Sequence, residues 1–515
     1  MRRRARPVLH FSFPSPALAV GSRLFHNIGG VEIGPPCALR TVTIPRWKGE
    51  VPMSSSQLSR RSVLKAGAAL SVPLFVSGKA LGLEGAAPAS ERVKVGIIGL
   101  GGRARGIVAE SQELKNLEIV DVSDCFRPAV DRFIGEKAAG RNWVGYDDFR
   151  KLIEEKKPDG VMVETTTHAR AWITVTAMQM GMDAYIEKPM CLTIQEGRYM
   201  VNAARRYNRV TQVGTQQRSM PYNNWASDLV KNGAIGKIKT VLAPNFVGPE
   251  KWPGKPEMPL PQGGKEGWWD VWTNQAELRP YHPELHHGWE RWWDYDGGGL
   301  CFGVTGWGTH SYDQIQRALG TDETGPVEMV LEEPVYSGPC GQFERVPDDD
   351  PTYLEYLNRL ARPVAGPRAK VRMWYANGTE LRLHLDGDWG PGLGAIFIGE
   401  NGKIEINRDK ISTNPKELLQ RPDNPGPITR PETEYHIANW LDCVKTRGKC
   451  NADIEYGLRS TALCYLVNIV REIGEVGFKL KWDPATEKFT NHEGANQSSY
   501  VVRPRRKGYE LPALA

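Results

Sequence analysis

The sequence predicts an α/β protein: a doubly wound parallel sheet, followed by a second α/β domain whose open sheet is large and mostly antiparallel. Three observations predict it. Between Arg92 and Val213 short apolar runs alternate regularly with helical stretches, the pattern of parallel strands joined by right-handed crossovers. Directly after the first run, Gly99-x-Gly101-x-x-Ala104 reads as a glycine turn that opens a helix. Beyond Gln217 the pattern changes to alternating strand-like runs, with Asn401-Gly402 as a hairpin turn between two of them.

Taken in order, Val93–Ile98 is a buried strand, and Ala104–Ser111 begins the helix it feeds. Leu117–Val122, Gly160–Glu164, Ala184–Ile186 and Val210–Val213 are the next strands. Pro128–Ala139, Asp147–Glu155, Trp172–Met180 and Thr193–Tyr207 are the helices between them. Met220–Asn232 then reads as a helix ended by Gly233, and Lys237–Asn245 as a strand. Residues 248–308 are rich in Pro and Gly and hold eight of the sixteen tryptophans. Strands follow at Val327–Leu331, Ala369–Ala376, Glu380–Asp386, Ala395–Gly399 and Lys403–Asn407, and helices at Tyr435–Thr446 and Ile454–Ile473. These runs divide the chain into a leader at 1–90, a domain that carries the glycine turn at 91–216 and a second α/β domain at 217–515.

At 515 residues, 40% hydrophobic and 24% charged, the chain is long enough for more than one core. The net charge of +6 comes partly from the first 65 residues and is no nucleic-acid signal. Eight cysteines without a CxxC pair or metal spacing argue against a zinc module or a disulfide framework. No apolar run reaches the ~18 residues of a transmembrane helix. Ser59-Arg60-Arg61-Ser62-Val63-Leu64-Lys65, the mild apolar stretch Ala66–Val76 and small residues at Gly78 and Ala80 resemble a twin-arginine (Tat) export signal. The expectation is export of a folded protein by the Tat machinery, with translation starting at Met53.

In the glycine turn, Gly99 permits the tight bend, Gly101 lets a pyrophosphate approach, and Ala104 lets helix pack on strand; Gly102 and Arg103 open the helix. Asp124, after the second strand, is placed to take both ribose hydroxyls and to disfavour a 2′-phosphate, which predicts NAD over NADP. Arg127 lies near enough to leave NADP open. After the third strand, Thr165 and Thr166 are small hydroxyl residues suited to the nicotinamide side, and His168 is either a ligand contact or a loop histidine. Glu187-Lys188-Pro189 closes the fourth strand, where such sheets present groups to a ligand. Lys188 is read as a proton acceptor or a clamp on a substrate hydroxyl. Gly297-Gly298-Gly299 leads toward His310 and Asp313, three apart on one helix face. There Asp313 orients the imidazole while His310 takes a proton from an alcohol, or the two form a satisfied core pair. His282, His286 and His287 lack a carboxylate or cysteine at ligand spacing, and no metal is expected.

These motifs, with Val213-Gly214-Thr215-Gln216-Gln217-Arg218, Gly233-x-Ile235-Gly236, Trp482-Asp483-Pro484 and Ala495-Asn496, resemble the glucose–fructose oxidoreductase, inositol dehydrogenase and rhizopine catabolism (Gfo/Idh/MocA) family over residues 92–515. The resemblance implies a Rossmann domain, a C-terminal α/β domain that often makes dimer contacts (hence a homo-oligomer), Lys188 and His310 as the reaction-centre pair, and Arg218 near the substrate. Trp307 joins that substrate side, since a tryptophan face suits the C–H face of a carbohydrate. Two positions depart from the family pattern. Gly306 stands where Asp-x-Gly-x-His has its Asp, and Thr-Pro-x-x-x-His becomes Thr165-Thr166-x-x-x-Arg170. The expected function is an exported NAD-dependent oxidoreductase acting on a sugar, cyclitol or glycoside hydroxyl with a tightly held nicotinamide. The alternatives are a redox-assisted glycosidase or lyase, and a non-catalytic sugar-binding protein on the same fold.

Overall fold

In the computed structural model, which describes residues 87–300, 302–341, 363–385 and 392–514, the apolar runs of the first half pair as parallel strands. These are β1 (Val93–Ile98), β2 (Leu117–Ser123), β3 (Gly160–Val163), β4 (Asp183–Ile186) and β5 (Thr211–Val213), side by side in the order β2-β1-β3-β4-β5. Both faces are covered, so a strand such as Gly160–Val163 is buried at every position. The covering helices are α1 (Gly102–Glu110), α2 (Arg127–Lys137), α3 (Phe149–Lys156), α4 (Thr167–Gln179) and α5 (Ile194–Arg206). Asp148 and Thr193 cap α3 and α5 through their side chains. The export reading falls on residues outside those described.

One helix begins earlier than predicted. A run of three β-branched threonines disfavours helix locally, yet α4 starts at Thr167 rather than Trp172. Tertiary packing overrides the propensity, since Thr167, His168, Ala169, Arg170 and Ala171 are all buried. His168 and Arg170 therefore project from a fixed helix.

The second half adds α6 (Pro221–Lys231), β6 (Ile238–Pro244), α7 (Trp268–Thr273), α8 (Pro283–His287), α9 (Trp307–Leu319), β7 (Pro326–Leu331), β8 (Tyr336–Gly341) and β9 (Pro363–Arg368). It continues with β10 (Val371–Tyr375), β11 (Glu380–Leu385), β12 (Gly394–Gly399), β13 (Lys403–Asn407), β14 (Lys410–Asn414), α10 (Glu432–Thr446), α11 (Ile454–Ile473), β15 (Lys479–Asp483), β16 (Lys488–Phe489) and α12 (Glu493–Asn496). Nine of these strands form one sheet in the order β14-β13-β12-β6-β11-β10-β7-β15-β16. Its pairings are antiparallel except β6 with β11. A separate two-stranded ribbon joins β8 to β9. The strands that the sequence does not announce are β8, β9, β14, β15 and β16; β14 and β16 lie at the sheet edges, where few side chains are buried.

Helix α10 crosses back to the parallel sheet. Its Ile437, Trp440, Leu441 and Val444 pack in one cluster with Val93, Val95 and Ile97 of β1. The first domain's core is thus completed by residues from the far end of the second.

The tryptophan-rich stretch is a cap with a core of its own. Trp268, Trp269, Trp272, Tyr281, Leu285, Trp292 and Tyr295 are buried together, with Trp269 and Trp272 stacked at 4.7 Å between ring centroids. The cap rests on Cys125 and Phe126 just beyond β2, with Phe126 4.5 Å from Trp268. A strap from residues 503–513 ties it down. Arg506 donates to the carbonyls of Asp270 and Asn274 at 2.8 Å each, and the Tyr509 hydroxyl donates to the Asp270 carboxylate at 2.7 Å. On the other side, the hydroxyl of Tyr199 in α5 donates to the Pro512 carbonyl at 2.8 Å, and the Tyr509 ring meets Trp172 of α4 edge-on.

Candidate functional site

The glycine turn is forced by close packing. Gly99 has φ +88°, and a Cβ there would stand 2.7 Å from the backbone nitrogen of Thr165. Gly101, the N-cap of α1, has no side-chain cap, and a Cβ built on it meets nothing within 4 Å. The first-turn residues Gly102 and Arg103 of α1, like Gly101 itself, line a cavity.

That cavity has a volume of about 820 Å³, within the ~300–1,000 Å³ of ligand sites. It runs from Asp124 and Phe126 past Gly99–Arg103, Thr165 and Thr166 to Glu187, Lys188 and His310. Asp124 is half-buried at its edge, and its two carboxylate oxygens accept the N–H groups of Leu100 and Phe126, each at 2.9 Å. Burial raises its pKa, and the two N–H groups pull it partly back. The same carboxylate thus fixes the glycine turn and lines the cavity. Arg127 turns away, to Asp131 at 2.8 Å and the carbonyl of Gly145 at 3.3 Å, and does not line the cavity. An uncapped helix N-terminus, a Cβ-free approach at Gly101 and an acid after β2 fit a dinucleotide without a 2′-phosphate. Asp124→Asn is expected to weaken NAD by about tenfold, one charge-assisted hydrogen bond, and to narrow its margin over NADP; calorimetric titration with both nucleotides checks this.

At the other end, Glu187 braces the site. Its carboxylate accepts from Arg103 Nε at 2.7 Å, Gln216 Nε2 at 3.1 Å and its neighbour's backbone, Lys188 N, at 2.9 Å. Burial alone would raise its pKa, but the cations of Arg103 and Lys188 outweigh that and hold it low. Lys188 Nζ donates to the Gly306 carbonyl at 3.3 Å, bridging the two domains. Gly306 is the N-cap of α9, and a Cβ there would lie 2.1 Å from the Leu300 carbonyl oxygen. No larger residue, aspartate included, fits this backbone.

His310, one turn into α9, is buried on the cavity wall, with its Nδ1 lacking a hydrogen-bond partner. Burial, and then the charge of Lys188, push its pKa well below the ordinary histidine value. It is a neutral imidazole at neutral pH, able to accept a proton.

Asp313 does not reach His310. It accepts from Arg218 Nε with both oxygens at 2.8 Å and from the Ser460 hydroxyl at 2.7 Å. Arg218 also meets Asp322 at 2.7 Å. Burial would lower the Arg218 pKa, but the carboxylates of Asp313 and Asp322 hold it up. The two residues expected at the reaction centre and the substrate are a buried ion pair off the cavity, because the face of α9 that bears Asp313 packs on α11. Trp307 also lies off the cavity, its ring tilted against Phe302 with 4.2 Å between centroids.

His168 is likewise absent from the cavity wall. Its Nε2 pairs with the Trp272 carbonyl at 2.8 Å, Gln275 donates to its backbone carbonyl, and burial brings its pKa down to about 3. It fastens the cap to α4. His286 is half-buried among the tryptophans, its pKa also down to about 3, and lines the cavity with His287, whereas His282 caps α8. Among the described residues, no group of three or more His, Cys, Asp or Glu side chains is placed to hold a metal.

The sequence reading passes over several residues of the wall. Asp296, just before Gly297, lies buried there, accepting from the Thr167 hydroxyl at 2.5 Å and from that of Thr305. Arg170, which the sequence marks only as a departure from the family pattern, donates to the Pro189 carbonyl at 2.6 Å and steadies the Lys188 turn. Glu164 faces the cavity from the end of β3, and Arg408 and Glu432 approach from the second half. The available signal was positional: charged residues at the ends of buried strands, or beside a glycine run, belong to no core.

Comparison with known proteins gives a consistent result. The family described as an oxidoreductase family with an NAD-binding Rossmann fold (GFO_IDH_MocA) matches residues 93–215, and its C-terminal alpha/beta domain matches 226–349 and 359–511. A "Glycosyl hydrolase family 109 protein 1" of Akkermansia muciniphila is 26% identical over 162 residues, 30% of this chain and 33% of the relative. A "Glucose-6-phosphate 3-dehydrogenase" of Bacillus subtilis is 26% identical over 148 residues, 29% of this chain and 41% of the relative. The match thus spans only a third to two fifths of these curated proteins. In fold, the chain is similar to the WlbA dehydrogenase of Chromobacterium violaceum, solved with NADH and UDP-GlcNAcA: TM-score 0.52, 15% identity, covering 77% of this chain and 98% of that one.

Proposed function

Because the chain belongs to the Gfo/Idh/MocA oxidoreductase family, we propose that it transfers hydride between NAD and a hydroxyl-bearing carbon of a sugar, cyclitol or glycoside. The observation that carries this reading is the meeting of Lys188 and His310, from two domains, on the wall that the NAD-binding glycine turn opens onto. NAD supplies the hydride acceptor when bound. The protein's part is to hold and move the proton of the alcohol. Lys188 hydrogen-bonds the substrate hydroxyl, and neutral His310 accepts its proton. Glu187, Arg103 and Arg170 keep the lysine in place. The walls of Trp272 and Trp289 offer an apolar face to the ring carbons.

A second reading, redox-neutral cleavage of a glycosidic bond, is favoured by the likeness to a glycosyl hydrolase family 109 protein. One experiment separates them. Absorbance at the nicotinamide band is followed on the purified protein against a panel of free sugars and aryl glycosides. Net NADH with a free sugar supports the dehydrogenase, aryl-glycoside cleavage without net NADH supports the glycosidase, and neither response rejects both.

The proposed place of action is outside the cytoplasm, on the strength of Ser59-Arg60-Arg61-Ser62 and the apolar stretch behind it. Replacing Arg60 and Arg61 together by lysine is expected to leave folded precursor in the cytoplasm. Fractionation that finds the double variant exported as before would reject the route.

A further inference from the structure

Glu164 ends β3 with its backbone pinned, its N–H donating to the Ile98 carbonyl at 2.8 Å. The residue is 7% exposed and lines the cavity. Neither carboxyl oxygen has a hydrogen-bond partner. Buried polar groups as a rule have a hydrogen-bond partner, so a carboxyl group without one calls for a group to complete it. Three acids near it on the wall are engaged: Glu187 by Arg103, Gln216 and the Lys188 backbone, Asp296 by two threonines, and Glu432 by Arg408. Glu164 alone among these is left for a ligand to satisfy.

Its place in the sheet tells which part of a ligand that is. Residue 165 packs against Gly99, where the pyrophosphate turn begins, and the neighbouring strand ends in Glu187-Lys188, at the reaction centre. A ligand running across the strand ends from one to the other passes over Glu164 with its middle, the nicotinamide riboside.

We propose that Glu164 is a cofactor-binding residue of this chain, hydrogen-bonding the nicotinamide riboside and favouring the oxidised, cationic ring over the reduced, neutral one. The inference rests on the NAD-binding reading of the cavity and not on the identity of the substrate. Four groups act on Glu164: Arg103 of α1, Arg170 of α4, and Tyr185 and Glu187 of β4. Burial and the Glu187 charge drive its pKa well above the ordinary carboxylate value, and the two arginines offset this only in part. Arg408 and Glu432 act on Arg103 from the far side. Without the nucleotide, these surroundings favour the protonated form. A cationic ring brought beside it favours the carboxylate and expels the proton; a neutral ring leaves it bound.

The test is calorimetric titration of the nucleotide-free full chain with NAD+ and with NADH, in buffers of different ionisation enthalpy. The wild-type chain is expected to release about one proton more with NAD+ than with NADH. Glu164→Gln should abolish that difference and weaken NAD+ about tenfold relative to NADH, one charge-assisted contact. Equal proton exchange with the two nucleotides in the wild type, which needs no variant to fold, would overturn the proposal. So would an unchanged affinity ratio in Glu164→Gln. Failure of the wild-type chain to bind either nucleotide would instead overturn the NAD reading of the cavity, and this inference with it.

Discussion

Lys188→Ala is expected to lower turnover by ~10²–10⁴, the usual worth of a positioned acid or base, while NAD still binds. The lysine stands at the end of β4, whereas the geometry of the glycine turn after β1 is set by Gly99, Thr165 and the Asp124 carboxylate. What it does touch is the Gly306 carbonyl, at the head of the helix that carries His310. Removing its charge takes away the second of the influences that hold the His310 pKa down. The sign follows. With a less depressed pKa, His310 gains its proton at a higher pH, so the acid limb of kcat/KM moves upward in the variant. His310→Ala should cost a comparable factor and remove that limb. Rate profiles of the wild type and both variants over acid to neutral pH are the check; an intact rate in either variant would mean that the proton moves elsewhere.

Arg218→Ala is expected to destabilise the fold by about 3–5 kcal/mol, the cost of breaking a buried pair and leaving its partner uncompensated. Arg218 and Asp313 are 3% and 1% exposed, and loss of the guanidinium strands both Asp313 and Asp322. Asp313→Asn should act in the same direction, and with less effect, since the amide still meets Ser460. Denaturant titration measures both. Because neither residue lines the cavity, NAD affinity in the surviving folded fraction should stay within about twofold. A large loss of turnover at unchanged stability would instead return the pair to the reaction centre.

These two cases mark how far the sequence could be read. The parallel sheet, its glycine turn and the Glu187-Lys188-Pro189 strand end were legible because each is local: an apolar run, a turn and a strand terminus encoded within a few residues. His310 on a helix was legible for the same reason. The partner of Asp313 was not, because helical spacing says which residues share a face and nothing about what that face meets. Arg218, 95 positions away, took the carboxylate. Similarly, the threonine run hid the start of α4, and with it the fixed places of His168 and Arg170. Asp296 and Glu164 carry carboxyl groups into buried surroundings without any motif around them; only the assembled cavity gives them a common address.

The strap across the tryptophan cap sets an order of events. Arg506 and Tyr509 clasp Asp270 from 236 and 239 positions further along the chain. Those fastenings are a few polar contacts, which can open without unpacking the apolar core of either lobe. With the roof unlatched, a long dinucleotide can be laid into an open trough rather than threaded through a slot. Once the latch is down, departure requires the same fastenings to be undone. Residence time then becomes a property of the roof as well as of the binding contacts beneath it.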